Sequence, residues 1–158
     1  MSDSEFVYTT YLKTTPERLW QALTDPAFTQ RYWGVALSSE WEKGSPITWQ
    51  IGELTIADPE QVVLESERPR VLSYTWHTVP DNFHEVTGGT AEEAAALAAE
   101  PRSQVRFEIE PAGELVMLTL THSGFEPGSG MLEGISGGWP AIMSSLKTLL
   151  ETGSSLSE

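Results

Sequence analysis

Apolar residues recur at two spacings along this chain: every second position through its middle, every third or fourth near its ends. Residues 6–13 are rich in β-branched and aromatic side chains (Phe6, Val7, Tyr8, Thr9, Thr10, Tyr11) and predict a first strand. Thr15 then stands where a helix N-cap belongs, with Pro16 at the first helical position, where no N–H is needed. Leu19, Trp20 and Leu23 share one face at helical spacing. Pro26 ends that helix, because the residue before a proline resists helical torsions. Asp25 and Pro26 in turn cap a second short helix over 27–32.

Alternation takes over next. Val35, Leu37 and Trp41 read as one strand up to the turn at 43–46, and Ile47, Trp49 and Ile51 as another up to Gly52-Glu53. Leu54 and Ile56 open a further strand that Asp58-Pro59 bulges or interrupts before Val62, Val63 and Leu64 continue it. After Arg68-Pro69, Leu72, Tyr74 and Trp76 alternate with Ser73, Thr75 and His77, which places His77 on the outward side. The stretch 78–101 breaks the pattern. Pro80-Asp81-Asn82 and Gly88-Gly89 are loop chemistry, and Thr90 caps a short alanine-rich helix over 91–99. Leu97 is that helix's one large apolar residue, so it is expected on the surface or over an opening. Val105, Phe107 and Ile109, then Val116, Leu118 and Leu120, give two more strands about a turn at 111–114.

The last apolar stripe is helical: Trp139, Ile142, Met143, Leu146, Leu149 and Leu150. Pro140 is expected in that helix's first turn, because Gly134, Gly137 and Gly138 weaken the alternative of a start near Met131 with a kink at the proline. Gly153 is the expected stop, and 154–158 the expected frayed tail. Consecutive strands on short turns pair antiparallel, and a long sheet twists and curls. Its apolar side must be covered, and the last helix alone carries enough stripe to cover it. The expected class is therefore α+β: a curved antiparallel sheet of about six or seven strands wrapped around a long C-terminal helix.

Composition narrows the function classes. The length of 158 residues fits one domain over 1–158, with 78–101 as an insert. Cysteine is absent, which removes thiolate chemistry and cysteine metal sites and fits a cytoplasmic location. The start is acidic and polar rather than basic and apolar, and no stretch approaches a membrane span. The formal net charge of -14 disfavours nucleic acid and anionic membranes as partners.

Four segments carry a family resemblance: 15–26 (Thr-Pro-Glu-Arg-Leu-Trp-Gln-Ala-Leu-Thr-Asp-Pro), 39–47, 118–125 (Leu-Thr-Leu-Thr-His-Ser-Gly-Phe) and 138–151. In that order the chain resembles the START-like SRPBCC superfamily, the helix-grip fold of the birch-pollen allergen. Within it, the chain is similar to the branch named for the activator of heat-shock-protein-90 ATPase. The resemblance implies the helix-grip fold and a cavity between sheet and helix. It supplies no shared catalytic residues. It also implies two further activities found in the superfamily, stimulation of a chaperone ATPase and polyketide cyclase or dehydratase chemistry.

Candidate chemistry is sparse. Six tryptophans stand at 20, 33, 41, 49, 76 and 139. By strand parity Trp41, Trp49, Tyr74, Trp76 and Phe107 face the last helix, where Leu118, His122, Trp139 and Met143 join them. Core packing accounts for most such aromatics, and a pocket lined by aromatics and polar at its mouth is the functional reading. The three histidines, His77, His84 and His122, lack metal-ligand spacing. His122 continues the inward parity of Val116, Leu118 and Leu120; it reads first as a hydrogen-bonded structural histidine and otherwise as the candidate to orient a ligand or act as a base, with Tyr74 as a second candidate base. His84 lies in the insert's loop and is a candidate to close over a mouth. No nucleophile elbow and no phosphate-binding glycine loop is present. The expected function is non-catalytic binding of a small apolar molecule or lipid, without cofactor or metal; monomer and dimer both remain open.

Overall fold

The computed structural model describes residues 5–80 and 82–156; the acidic start at 1–4, Asp81 in the expected loop and the last two tail residues lie outside the described residues. Strand β1 (Phe6–Leu12) leads into helices α1 (Pro16–Thr24) and α2 (Pro26–Trp33). Thr15 caps α1 by accepting from the Arg18 N–H, and Asp25 caps α2 by accepting from the Ala27 N–H. Both caps and both N1 prolines stand where the sequence expects them. Gly34 closes α2 in the left-handed conformation, at φ 81°, where a Cβ would be strained.

Strands β2 (Val35–Ser38), β3 (Thr48–Ile51) and β4 (Leu54–Ile56) form one antiparallel sheet. Strands β5 (Val63–Glu67), β6 (Val71–Thr75), β7 (Gln104–Ala112) and β8 (Leu115–Ser123) form the second with β1, in the order β1-β8-β7-β6-β5. Asp58-Pro59 thus ends a strand instead of bulging it, and the sheet divides there. The two parts are stitched by backbone bonds from Ile47 N–H to Gln61 O (2.8 Å) and from Val63 N–H to Ser45 O (2.9 Å). Gln61 reinforces the seam from within. Its fully buried side-chain Nε2 donates to Ile47 O and Ile56 O, and its Oε1 accepts from Thr78 N–H.

Between β6 and β7 the insert folds into α3 (Phe83–Thr87) and α4 (Ala91–Ala98). Thr90 and Glu93 form a complete capping box at the start of α4. The residue α4 buries is Ala94, not Leu97, which stays half-buried at the rim of a cleft. Helix α5 (Gly130–Thr152) runs through Pro140, so the expected start beside that proline is corrected. The reason lies outside the helix. Ser129 Oγ accepts from Leu132 N–H, while the Glu100 carboxylate accepts from Gly130 N–H (3.0 Å) and Met131 N–H (3.2 Å). Three orphan donors are satisfied upstream, which offsets the bond lost at the proline.

The buried face of α5 (Trp139, Met143, Leu146, Leu149, Leu150) packs into one core with the inner faces of both sheets and with α1. This is the expected helix-grip arrangement. The tail does not fray at once past Gly153: Ser155 is buried, and Leu156 N–H reaches Ser145 Oγ. No helix among the described residues is long and apolar enough to cross a membrane.

Candidate functional site

Strand β6 ends at Thr75, but the chain continues along β7 for one more bond, from Trp76 N–H to Ser103 O (2.9 Å). Beyond that bond strand parity no longer holds. His77, expected outside, is buried, with its ring 4.7 Å from that of Trp49 and 5.4 Å from that of Trp76. Trp76, Trp49 and Trp139 surround Trp33, at centroid distances of 5.9, 5.5 and 5.4 Å. Tyr74 and Phe107 extend the cluster, with Phe107 edge-on to Trp139. Leu118 and Met143 are fully buried in the same core. Six of the nine expected site residues (Trp49, Tyr74, Phe107, Leu118, Trp139 and Met143) therefore spend their surface on one another and line none of the described clefts.

Trp41 departs from expectation. It lies beyond β2 in a loop, at φ 56°, held by Ser39 Oγ on its N–H and by Ser66 Oγ–H on its carbonyl. Its ring still reaches Tyr74, at 6.0 Å. With Trp20, Lys43 and Arg68 it lines a separate groove.

His122 is where parity puts it, fully buried near the end of β8. Both ring nitrogens are engaged: Nδ1 with Trp139 Nε1 at 3.0 Å, Nε2 with Ser103 Oγ at 2.9 Å. An indole N–H only donates, so Nδ1 is the acceptor and the proton of the neutral ring sits on Nε2. His122 therefore donates to Ser103 Oγ. It has no lone pair free for a substrate, and it does not activate Ser103 as a nucleophile. Burial, and secondarily the nearby His77, pushes its pKa down to about 3. Burial also pushes the Tyr74 phenol well above its ordinary value, so Tyr74 stays protonated and is no base. Neither candidate base is set up to act as one, and His122 has the form of the hydrogen-bonded structural histidine that the sequence favours.

The part of this region open to solvent is a cleft of about 310 Å³ between the end of β6, the insert and the start of α5. Trp76, Leu97 and Met131 supply its apolar wall, and His77, Arg102 and Ser103 its polar one. His77 Nδ1–H donates to the Thr78 carbonyl, leaving Nε2 as the acceptor. Burial pushes His77 down to about 4; the bond to Thr78 opposes that shift and the Arg102 guanidinium adds to it. Arg102 donates to Trp76 O (2.8 Å) and pairs with Asp58 (3.3 Å). Gly124, at φ 96°, lets the chain just past β8 run close to this wall; a Cβ there would meet Ser103 Cα at 3.3 Å. His84 sits on α3 and lines a smaller hollow of about 160 Å³ rather than this cleft. No cluster among the described residues could hold a metal ion.

Sequence reasoning missed three residues of this region. Ser103 carried a signal: the alternation of Val105, Phe107 and Ile109, extended back two places, puts it inside. Trp33 gave none, because one residue at the end of an eight-residue helix defines no face. Arg102 gave none either, since its partners are brought to it by the fold.

The comparisons agree with this architecture. The model of the family described as Activator of Hsp90 ATPase homolog 1-like protein matches residues 13–151. No curated protein matches the chain. Among solved structures, protein MLL2253 from Mesorhizobium loti is similar at a TM-score of 0.71 and 24% identity, covering 92% of this chain and 96% of that one. The Aha1 dimer from Colwellia psychrerythraea is similar at 0.68 and 19%, covering 94% and 97%. DynU16, a putative protein in the dynemicin biosynthetic locus, is similar at 0.71 and 19%, covering 97% of this chain and 49% of that one. At these identities the likeness is one of fold.

Proposed function

The chain belongs to the Activator of Hsp90 ATPase homolog 1-like family, and from that premise we propose that it binds a small, largely apolar molecule in the cleft at the open end of its aromatic cluster. One observation carries the reading. Trp76 belongs to the packed cluster and also lines the cleft, where Leu97, Met131 and a few oriented polar groups stand beside it. An apolar wall with sparse, fixed polar groups is the usual form of a small-molecule site. The ligand thus sits beside the core rather than within it, because the aromatic residues first expected to line a central cavity are packed together.

The test is a titration of intrinsic tryptophan fluorescence with a panel of lipids, polyketides and simple aromatics. The expected result is saturable quenching or a blue shift for one class, weakened in Trp76→Phe. A flat response across the panel removes the reading.

The family match itself supports a second reading, action on a chaperone ATPase. It is decided by adding the protein to a heat-shock-protein-90 ATPase assay. A raised turnover supports it, and an unchanged rate removes it.

A further inference from the structure

The polar wall of the cleft is oriented from behind. Trp139 Nε1–H fixes a lone pair on His122 Nδ1, and His122 Nε2–H is therefore committed to Ser103 Oγ. Ser103 is 4% exposed, its oxygen already accepts, and its hydroxyl hydrogen has no acceptor among the described residues. A hydroxyl so held keeps its donor for whatever enters the cleft. On the same wall His77 has its Nδ1–H tied to the Thr78 carbonyl, so it offers the opposite character, an acceptor at Nε2. Two of the three charged side chains that line the cleft are engaged elsewhere, and the third, Glu60, adds a carboxylate that disfavours an anionic ligand. Arg102 is held by Trp76 O and Asp58, and Glu100 by Ser129 and the first turn of α5.

Building on the proposed binding in this cleft, we infer that Ser103 is a specificity-determining donor for a neutral ligand that carries a carbonyl oxygen, held in that role by the Trp139–His122 pair. The ligand's own N–H or O–H meets His77, and its apolar body rests on Trp76 and Met131. An aryl carboxamide has this donor–acceptor pattern. A carboxylate lacks the donor and is repelled by a chain of net charge -14. His122 and Trp139 touch no ligand; they are positioning residues.

Three probes of one shape separate these statements: β-naphthamide, β-naphthoate and β-methylnaphthalene. Their binding is followed by NMR at the Trp76 indole signal. The amide is expected to bind about 10-fold more tightly than the hydrocarbon, a typical gain from a hydrogen bond in a site built for it. Ser103→Ala is expected to weaken the amide about 5- to 10-fold and leave the hydrocarbon unchanged. Equal binding of amide and hydrocarbon, or an equal loss of both in Ser103→Ala, overturns the inference while the cleft remains a binding site. Naphthoate binding as tightly as the amide overturns the requirement for a neutral ligand. No shift with any probe overturns both this inference and the binding reading on which it rests. A measurement on the unmodified protein stands independently of any variant's folding: the ring nitrogens of His122 should read as unprotonated Nδ1 and protonated Nε2 at neutral pH. The reverse tautomer overturns the orientation argument. Trp139→Phe should blunt the preference for the amide although Ser103 is untouched; full retention of the preference removes Trp139 from the role.

Discussion

His77 and His122 are both neutral in the folded protein and both hard to protonate, with pKa values brought from 6.5 to about 4 and about 3. Their unfolded counterparts take up a proton near 6.5. Between that pH and about 4 the unfolded chain therefore binds more protons than the folded one, so stability falls as the pH drops through the window. Below about 3 the folded histidines are charged too and the dependence ends. Each group contributes on the order of 3–5 kcal/mol across its full window. Carboxylates titrate over part of the same range, so the comparison that isolates the histidine is between wild type and His77→Gln. Urea unfolding at stepped pH should show the wild type losing stability relative to the variant between pH 6.5 and 4. Parallel curves would mean that His77 is not held neutral. Protonating His122 would also set two donors against each other, since Trp139 Nε1–H already points at Nδ1. The sequence placed His122 on the inner face correctly. It could not show that both nitrogens are committed, because Ser103, just before β7, and Trp139, on α5, are brought to it only by the fold.

At the scale of elements, what was legible followed from local rules. Thr15-Pro16 and Asp25-Pro26 define their helix starts with a cap and a fixed φ, and no distant contact is needed to read them. The alternation in β7 and β8 likewise survives as a buried inner face. Where the reading failed, a distant group had changed the local balance. Helix α5 begins at Gly130 because Glu100, thirty residues earlier, supplies a carboxylate to its first N–H groups. His77 turns inward because β6 ends before it. The aromatic stripe was read as a pocket lining, but six large rings that can pack edge to face leave little space among themselves. The central role of α5 gives a prediction at this scale. Leu146 is fully buried in the middle of the helix, so Leu146→Ala should cost about 2–5 kcal/mol in denaturant melts. A loss below about 1 kcal/mol would mean that the helix relaxes into the space and does not anchor the core.

For the whole molecule, the balance of 23 acidic against 9 basic residues decides how it responds to its solvent. Several of the cations are already engaged on the surface: Arg68 with Glu17, Arg70 with Glu67, Arg106 with Glu65 and Glu108, and Lys147 with Glu151. Exposed pairs of this kind contribute about 0–1 kcal/mol each and weaken in salt. The unpaired carboxylates repel one another over the whole surface, and that repulsion weakens in salt as well. The two effects oppose. Excess like charge acts over many pairs at distances near the Debye length of about 10 Å, which moderate salt screens efficiently, whereas close pairs are screened less. Repulsion should therefore win. Raising sodium chloride from about 20 mM to about 500 mM, which shortens the Debye length several-fold, should raise the Tm at neutral pH. A fall in Tm would show that the surface ion pairs outweigh the net charge. The same screening should leave a neutral probe's affinity for the cleft nearly unchanged, because the groups assigned to hold it, Ser103 and His77, are uncharged; a steep salt dependence would point to Arg102 or Glu60 as the true contacts.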